Sequence, residues 1–372
     1  MSLPHPRRPL VSSSTSLPQL RRLVVSSFRP LLASLALFSL LLLPAPAHAD
    51  PTLRIAMLSD GGTFNDHSFN QSCREGVEAL LAHGLPLYVQ FYETSSDVPF
   101  EKPLSAFAER NYRLVIGVGY YMGKAVTEVA RRYPRTRFIS VDGLSDDIPP
   151  NLLLLTFRVD QCAFPAGYLA AAWADLRDPE NPAVACIGGK DVSSVEPFIT
   201  GFRSGVEHYN DTHARSVAVH TAYVGSFSDP DRGRRVAERL LKDGADVLFG
   251  AAGHSGEGII AAAAEAGKWA IGVDTDQYEA LPEYQDCILT SCLKRMDRAV
   301  ANTISAIMEN QFWGGTRYEG TLENHGVALA PLRLYETQLP PEILTDLEQI
   351  QRQILSGTLP TGYLPPAPTP AP

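Results

Sequence analysis

The sequence is poor in the features that mark metal and redox proteins. Five cysteines stand among 372 residues, an odd number, and none belongs to a CxxC pair. A zinc ribbon or a dithiol redox motif is therefore excluded. The nine histidines include no HExxH and no other paired metal spacing, so a zinc site is not expected. The apolar run 31–43 has thirteen residues, short of the about 20 that span a bilayer. Residues 1–49 hold no acid and no lysine, only five arginines. The whole chain carries −9, so the other 323 residues carry −14. An acidic body lacks the broad basic footprint that nucleic acid requires.

What is present begins with a targeting segment. Arginines precede the apolar run, Pro44 and Pro46 follow it, and Ala47-His48-Ala49 forms a small-x-small cleavage signal. This reads as a signal peptide, residues 1–49, cleaved after Ala49. No cysteine lies near the cut, so lipid attachment there is not available. Cys162, Cys186 and Cys292 lie in apolar stretches and read as buried small hydrophobes. In an exported protein one or two disulfides stay open. Cys287 and Cys292 would point to opposite faces of a single strand and would not pair there.

From Asp50 onward, short apolar runs alternate with helical patterns. Strands are predicted at 53–59, 87–92, 114–118, 137–141 and 152–157. A second series follows at 183–187, 217–223, 247–250, 269–273 and 288–293. Helices are predicted between the first four strands and near 164–174, 197–209, 232–243 and 256–266. Continuous apolar strands joined by helices indicate parallel sheets covered on both faces. Two such series give an α/β protein with two doubly wound lobes. Ligands of such sheets bind beyond the carboxyl ends of the strands. The tail 359–372 holds six prolines and is expected to be extended and disordered.

The loops after the strands hold the chemistry. Asp60-Gly61-Gly62 follows the first strand, and Ser68-Phe69-Asn70-Gln71 has the S-x-x-Q form of a capping box. Asp142-Gly143, Phe227, Gly253, Asp274 and Lys294 occupy similar places. Together they offer carboxylates, one lysine and two aromatics to a polar ligand with a flat ring. Two glycine-rich loops are decoys. Gly117–Gly123 has GxGxxxG spacing, one residue longer than the dinucleotide fingerprint. Gly253-His254-Ser255-Gly256-Glu257 places Glu257 where a hydrolase nucleophile elbow needs glycine.

Taken in order, these loops resemble the basic membrane protein family of PnrA-like solute receptors, whose members include purine-nucleoside-binding components of ABC importers. The matching stretches include SDGGTFNDHSFNQSCREGVEAL (59–80), YVGSFSDPDRGRRVAERLLKDGADVLFGAAG (223–253), IGVDTDQ (271–277) and LTSCLKRMDRAV (289–300). The resemblance implies a periplasmic binding protein of type I, two lobes joined by three crossovers. Lobe 1 is expected at 52–158 plus 292–318, and lobe 2 at 159–291 plus 319–358. The ligand contacts it implies fall on Asp60, Phe69, Asp142, Phe227, Asp274 and Lys294, with Asn65, Asp66 and Gly253 as further contributors. Phe69 and Phe227 would sandwich a base, Asp142 would accept from a ring edge, and Asp274 with Lys294 would hold ribose hydroxyls. The implied partners are a nucleoside-like solute and an inner-membrane permease, with the receptor a periplasmic monomer and not a lipoprotein. Relatives often read Gly-Gly-Thr-Gly where this chain has Gly253-His254-Ser255-Gly256, so His254 adds bulk at the rim. The competing expectations are a receptor for another ring compound, such as a flavin or a sensory signal, and a calcium-dependent nucleoside hydrolase. The second lacks the closely spaced aspartates expected near Asp60.

Overall fold

The computed structural model describes residues 52–365, apart from Ser96. The expected signal peptide and the last seven residues of the tail lie outside that range. Among the described residues, no helix is long and apolar enough to cross a membrane.

Two sheets organise the chain. The elements of the first run β1 (Leu53–Ser59), α1 (Phe69–Ala82), β2 (Leu87–Glu93), α2 (Glu101–Glu109), β3 (Leu114–Val118), α3 (Gly123–Arg132), β4 (Arg137–Val141) and β5 (Leu152–Phe157). The second begins with α4 (Asp160–Arg177), β6 (Ala183–Gly188), α5 (Glu196–His213), β7 (Ala218–Tyr223) and α6 (Pro230–Lys242). It continues with β8 (Val247–Ala251), α7 (Ser255–Glu265), β9 (Trp269–Asp274), the short α8 (Gln277–Ala280) and β10 (Ile288–Lys294). Then come α9 (Met296–Met308), β11 (Thr316–Gly320), β12 (Val327–Leu329) and α10 (Pro341–Leu355).

The first sheet has the order β11-β5-β4-β3-β1-β2, and the second β12-β10-β9-β8-β6-β7. Every pair is parallel except β10 with β12. The inner strands β3, β6 and β8 are buried along their whole length, as their unbroken apolar runs require. Both sheets are of the doubly wound kind, with the order reversing at β1 and at β6. This is the two-lobed α/β architecture of type I periplasmic binding proteins.

The chain passes between the sheets after β5, after β10 and after β11. The passages bond to one another: Arg158 N–H donates to Gly320 O at 2.8 Å and Arg295 N–H to Gly326 O at 2.9 Å. Strand pairing carries Cys292–Lys294 in the second sheet and Glu319–Gly320 in the first, two or three residues beyond the expected limits. The pairing partners, β9 and β5, extend that far and hold the strand ends to them. The edge strands β11 and β12 are absent from the sequence reading. They are short, and β11 reads Thr-Arg-Tyr-Glu-Gly without an apolar run. The tail also differs from expectation. Thr361 is buried, and its hydroxyl donates to Asp160 at 2.5 Å, so the chain is packed to that point. All five cysteines are buried and free, and Cys292 Sγ lies 3.6 Å from the Cys162 carbonyl oxygen without a disulfide between the two.

Candidate functional site

A cavity of about 870 Å³, part of it open to solvent, lies between the lobes at the strand ends. Asp60, Asp66, Phe69, Asp142, Phe227, Gly253, Asp274 and Lys294 all line it. Asn65 does not: its side chain is outside, accepting a hydrogen bond from Arg74.

Asp60 follows β1 at the switch point of the first sheet. One carboxylate oxygen accepts from Tyr121 N–H at 3.0 Å. Gly119 has φ +121°, and a Cβ there would sit 2.0 Å from the Asp60 carboxyl carbon. The glycine-rich loop after β3 thus serves to admit Asp60, not to cradle a phosphate. Burial pushes the Asp60 carboxyl up to about 6 despite the Tyr121 N–H and nearby Lys190.

Asp142 and Asp274 hold equivalent places at the ends of β4 and β9. Both are buried and both adopt left-handed backbone, with φ of 59° and 67°. Non-glycine residues held there are costly and concentrate at functional sites. Asp274 accepts from Ser68 Oγ at 2.6 Å, a bond from one lobe to the other. Burial raises its carboxyl to about 6, while Lys294 and Ser68 act in the opposite direction. Lys294 forms its ion pair with Asp142, both buried, and its charge also acts on Asp274. The reason is topological: Lys294 ends β10 beside the crossover, where the Asp142 loop of the other lobe approaches it.

The start of α1 also departs from the capping-box reading. The Ser68 side chain makes no cap, because it is committed to Asp274. Asp66 takes its place, accepting from the backbone N–H of Ser68, Asn70 and Gln71 at 2.9–3.1 Å. Gln71 instead accepts from His67 N–H at 3.1 Å. Asp66 therefore lines the cavity with its oxygens turned to backbone. Burial raises its carboxyl above the usual range, and the three N–H bonds oppose that.

The aromatics come from both lobes. Phe69 opens α1, and the Lys294 ammonium stands 5.0 Å from its ring centroid. Phe227 lies in the loop before α6, against Gly189, where a Cβ would fall 2.3 Å from the ring. Ser255 holds that loop: its hydroxyl accepts from Asp229 N–H at 2.9 Å and donates to Ser226 O at 3.1 Å. The serine of the elbow-like decoy is thus a loop brace.

Further lining residues escaped the sequence reading, among them Phe198, Lys190 and Asn70. Phe198 projects from the first turn of α5. Lys190 follows β6, with its ammonium 4.7 Å from the Tyr121 centroid and 5.9 Å from Phe227. Among the described residues no hydrogen bond or ion pair holds it. The strand-end rule that found Asp60 applies equally to Gly188-Gly189-Lys190. Asn70 places a buried, unpartnered Oδ1 at the cavity, within the very motif quoted for the resemblance.

A cleft of this kind, with stacking faces on both lobes and carboxylates at the strand ends, is built to enclose a ring compound bearing hydroxyl or N–H donors. The family model for PnrA-like ABC transporter substrate-binding proteins matches residues 53–358. The chain belongs to this family. It is 28% identical to the CD4+ T-cell-stimulating antigen of Listeria monocytogenes, over 82% of this chain and 87% of the relative. It is also 28% identical to the ABC transporter nucleoside-binding protein BmpA of Lactococcus lactis, over 74% and 81%. Among solved structures, an ABC transporter solute-binding protein of Aeropyrum pernix superposes with a TM-score of 0.77 at 26% identity, covering 82% of this chain and 92% of that one. The receptor's cavity therefore sits in a substrate-binding protein of an ABC transporter.

Proposed function

We propose that this receptor binds a purine nucleoside or a close analogue in the periplasm and delivers it to an inner-membrane permease for import. It acts as a monomeric carrier and not as an enzyme. The supporting observation is the cavity itself, which combines Phe69 and Phe227 with Asp60, Asp142, Asp274 and Lys294. The relative named as a nucleoside-binding protein favours the same ligand class. The apolar run and small-x-small signal before residue 50 support export and cleavage after Ala49.

In this reading the base lies between Phe69 and Phe227, with stacking worth about 1–3 kcal/mol per base. Asp60 and Asn70 accept from ligand donors, and Lys190 donates to a ring acceptor. Asp274 divides its oxygens between a ribose hydroxyl and Ser68, so ligand and closure support each other. The Asp142–Lys294 pair keeps both charges compensated in a closed cleft.

Titration calorimetry on ligand-stripped protein tests this directly. Inosine, guanosine, adenosine, uridine, free bases, ribose and riboflavin form the panel. The expected result is micromolar or tighter binding of a purine nucleoside, weakened about 10- to 100-fold by Phe227→Ala. Binding of riboflavin or ribose in preference to every nucleoside would overturn the reading.

A further inference from the structure

The charged groups that line the cleft differ in how far the protein itself uses them. Asp66 is turned to three backbone N–H groups, Asp142 is paired with Lys294, and Asp274 accepts from Ser68. Asp60 accepts from Tyr121 N–H through one oxygen, which leaves the other for a ligand. The two lysines divide in the same way. Lys294 is buried against Asp142, whereas the Lys190 ammonium has no hydrogen bond or ion pair among the described residues.

The backbone under Lys190 is fixed. Gly189 N–H donates to Ala251 O at 2.9 Å, and Gly189 O accepts from Gly225 N–H at 2.7 Å. Lys190 O accepts from Val192 N–H at 3.1 Å. The Phe227 ring packs on Gly189, so the Lys190 ammonium is 5.9 Å from the centroid of that ring. It is also 4.7 Å from the centroid of Tyr121, the residue whose N–H holds Asp60. Lys190 and Asp60 thus meet one end of the cavity from opposite lobes, near enough for the lysine's charge to act on the carboxylate.

We propose, resting on the purine-nucleoside reading above, that Lys190 acts with Asp60 to select a 6-oxopurine base, as in inosine and guanosine, over adenine. An ammonium has three donors and no acceptor, and a carboxylate only accepts. Along the edge of a 6-oxopurine, N7 and O6 accept and the neighbouring N1–H donates. Lys190 against O6 and N7, with Asp60 against N1–H, satisfies both residues. Lysine on O6 and N7 is also a pairing by which proteins read guanine in DNA. Adenine reverses the two positions. Its 6-amino group would face the ammonium, donor against donor, and its bare N1 would face the carboxylate, acceptor against acceptor. A site built on such bonds rejects an analogue that cannot make them, because its polar groups are left unpaired. A lysine that only balanced the cleft's carboxylates would serve all purine nucleosides alike.

Titration calorimetry with inosine, guanosine, adenosine and 1-methylinosine separates the two roles. It would be run at pH 7.5, above the value of about 6 for Asp60, so that the carboxylate is ionised. The parent should bind inosine and guanosine about 10- to 100-fold more tightly than adenosine. 1-Methylinosine, which lacks N1–H, should bind no better than adenosine. Lys190→Met strands no partner, and Lys190→Gln supplies an amide that accepts as well as donates; thermal melting checks that both fold. In each, the preference for inosine should collapse to within about threefold of equality. Phe227→Ala, which removes stacking, should weaken all four ligands and keep the preference. Adenosine or 1-methylinosine bound by the parent as tightly as inosine, or an unchanged preference in both Lys190 variants, would overturn the selection while leaving a purine-nucleoside receptor. No binding of any purine nucleoside would overturn both.

Discussion

At the residue scale, the most unusual groups are the cavity carboxylates Asp60 and Asp274. Each is buried far enough to lift its carboxyl to about 6, from an ordinary value near 4. For an acid, a raised folded-state value means that the folded protein binds protons more tightly than the unfolded chain. The stabilising contribution is complete below about pH 4 and is lost as pH rises through about 6. At neutral pH both anions thus oppose the closed, ligand-free state. Asp60→Asn keeps an oxygen for Tyr121 N–H and removes the buried charge. It should raise the melting temperature at pH 7.5 by a few degrees and have little effect at pH 4, by calorimetry in both buffers. An equal change at both pH values would show that the charge is not the cause. The same substitution should weaken ligand binding, because a carboxylate accepts more strongly than an amide. A destabilising anion in a binding cleft is the pattern expected where function and stability pull apart.

At the element scale, the N-terminus of α1 separates two roles that look alike in sequence. Asp66 takes three backbone N–H bonds, whereas Ser68 takes none and reaches across the cleft. Asp66→Ala should therefore cost about 1–2 kcal/mol of folding stability, the scale of a lost cap. Ser68→Ala should cost much less stability but weaken ligand affinity several-fold, since its bond exists only between closed lobes. Urea unfolding and calorimetry on both variants check the pair, and a reversal of the two effects would refute the assignment. This helix start also shows how far sequence reaches. The eight inner strands were legible because a strand buried on both faces must be apolar throughout, and the half-exposed edge strands β2 and β7 were legible from their β-branched and aromatic residues. The edge strands β11 and β12 were not, since they carry polar residues and depend on a neighbour's backbone. Strand-end residues such as Asp142 and Phe227 were legible as cavity candidates from position alone. Which of them meet was not: Ser68 with Asp274, and Lys294 with Asp142, are contacts between lobes, and no local pattern encodes the approach of one lobe to the other.

At the scale of the whole molecule, the two sheets are tied by three passages, and the end of the chain reaches back to the first of them. Asp160, the first residue of α4, receives both guanidinium bonds of Arg158 at 2.9 and 2.8 Å and the hydroxyl of Thr361. Arg158 in turn bonds through its backbone to Gly320, in the third passage. The segment after α10 packs onto α5, where Gly362 lies so close to Ser204 that a Cβ would fall 2.2 Å from its hydroxyl. Residues 362–365 also line a second hollow that shares Asp142, Ser194 and Lys294 with the ligand cavity. The tail thus braces the hinge from behind. Deleting residues 360–372 should remove that brace while leaving Asp160 paired with Arg158, so no buried charge is stranded. The expected result is a melting temperature lower by a few degrees, from a loss of about 1–3 kcal/mol. Thr361→Val keeps the volume and removes only the hydrogen bond, so it should reproduce part of the loss. If both variants melt with the full-length protein, the tail is a passenger on the surface. If only the deletion is destabilised, packing on α5 and not the bond to Asp160 holds the hinge.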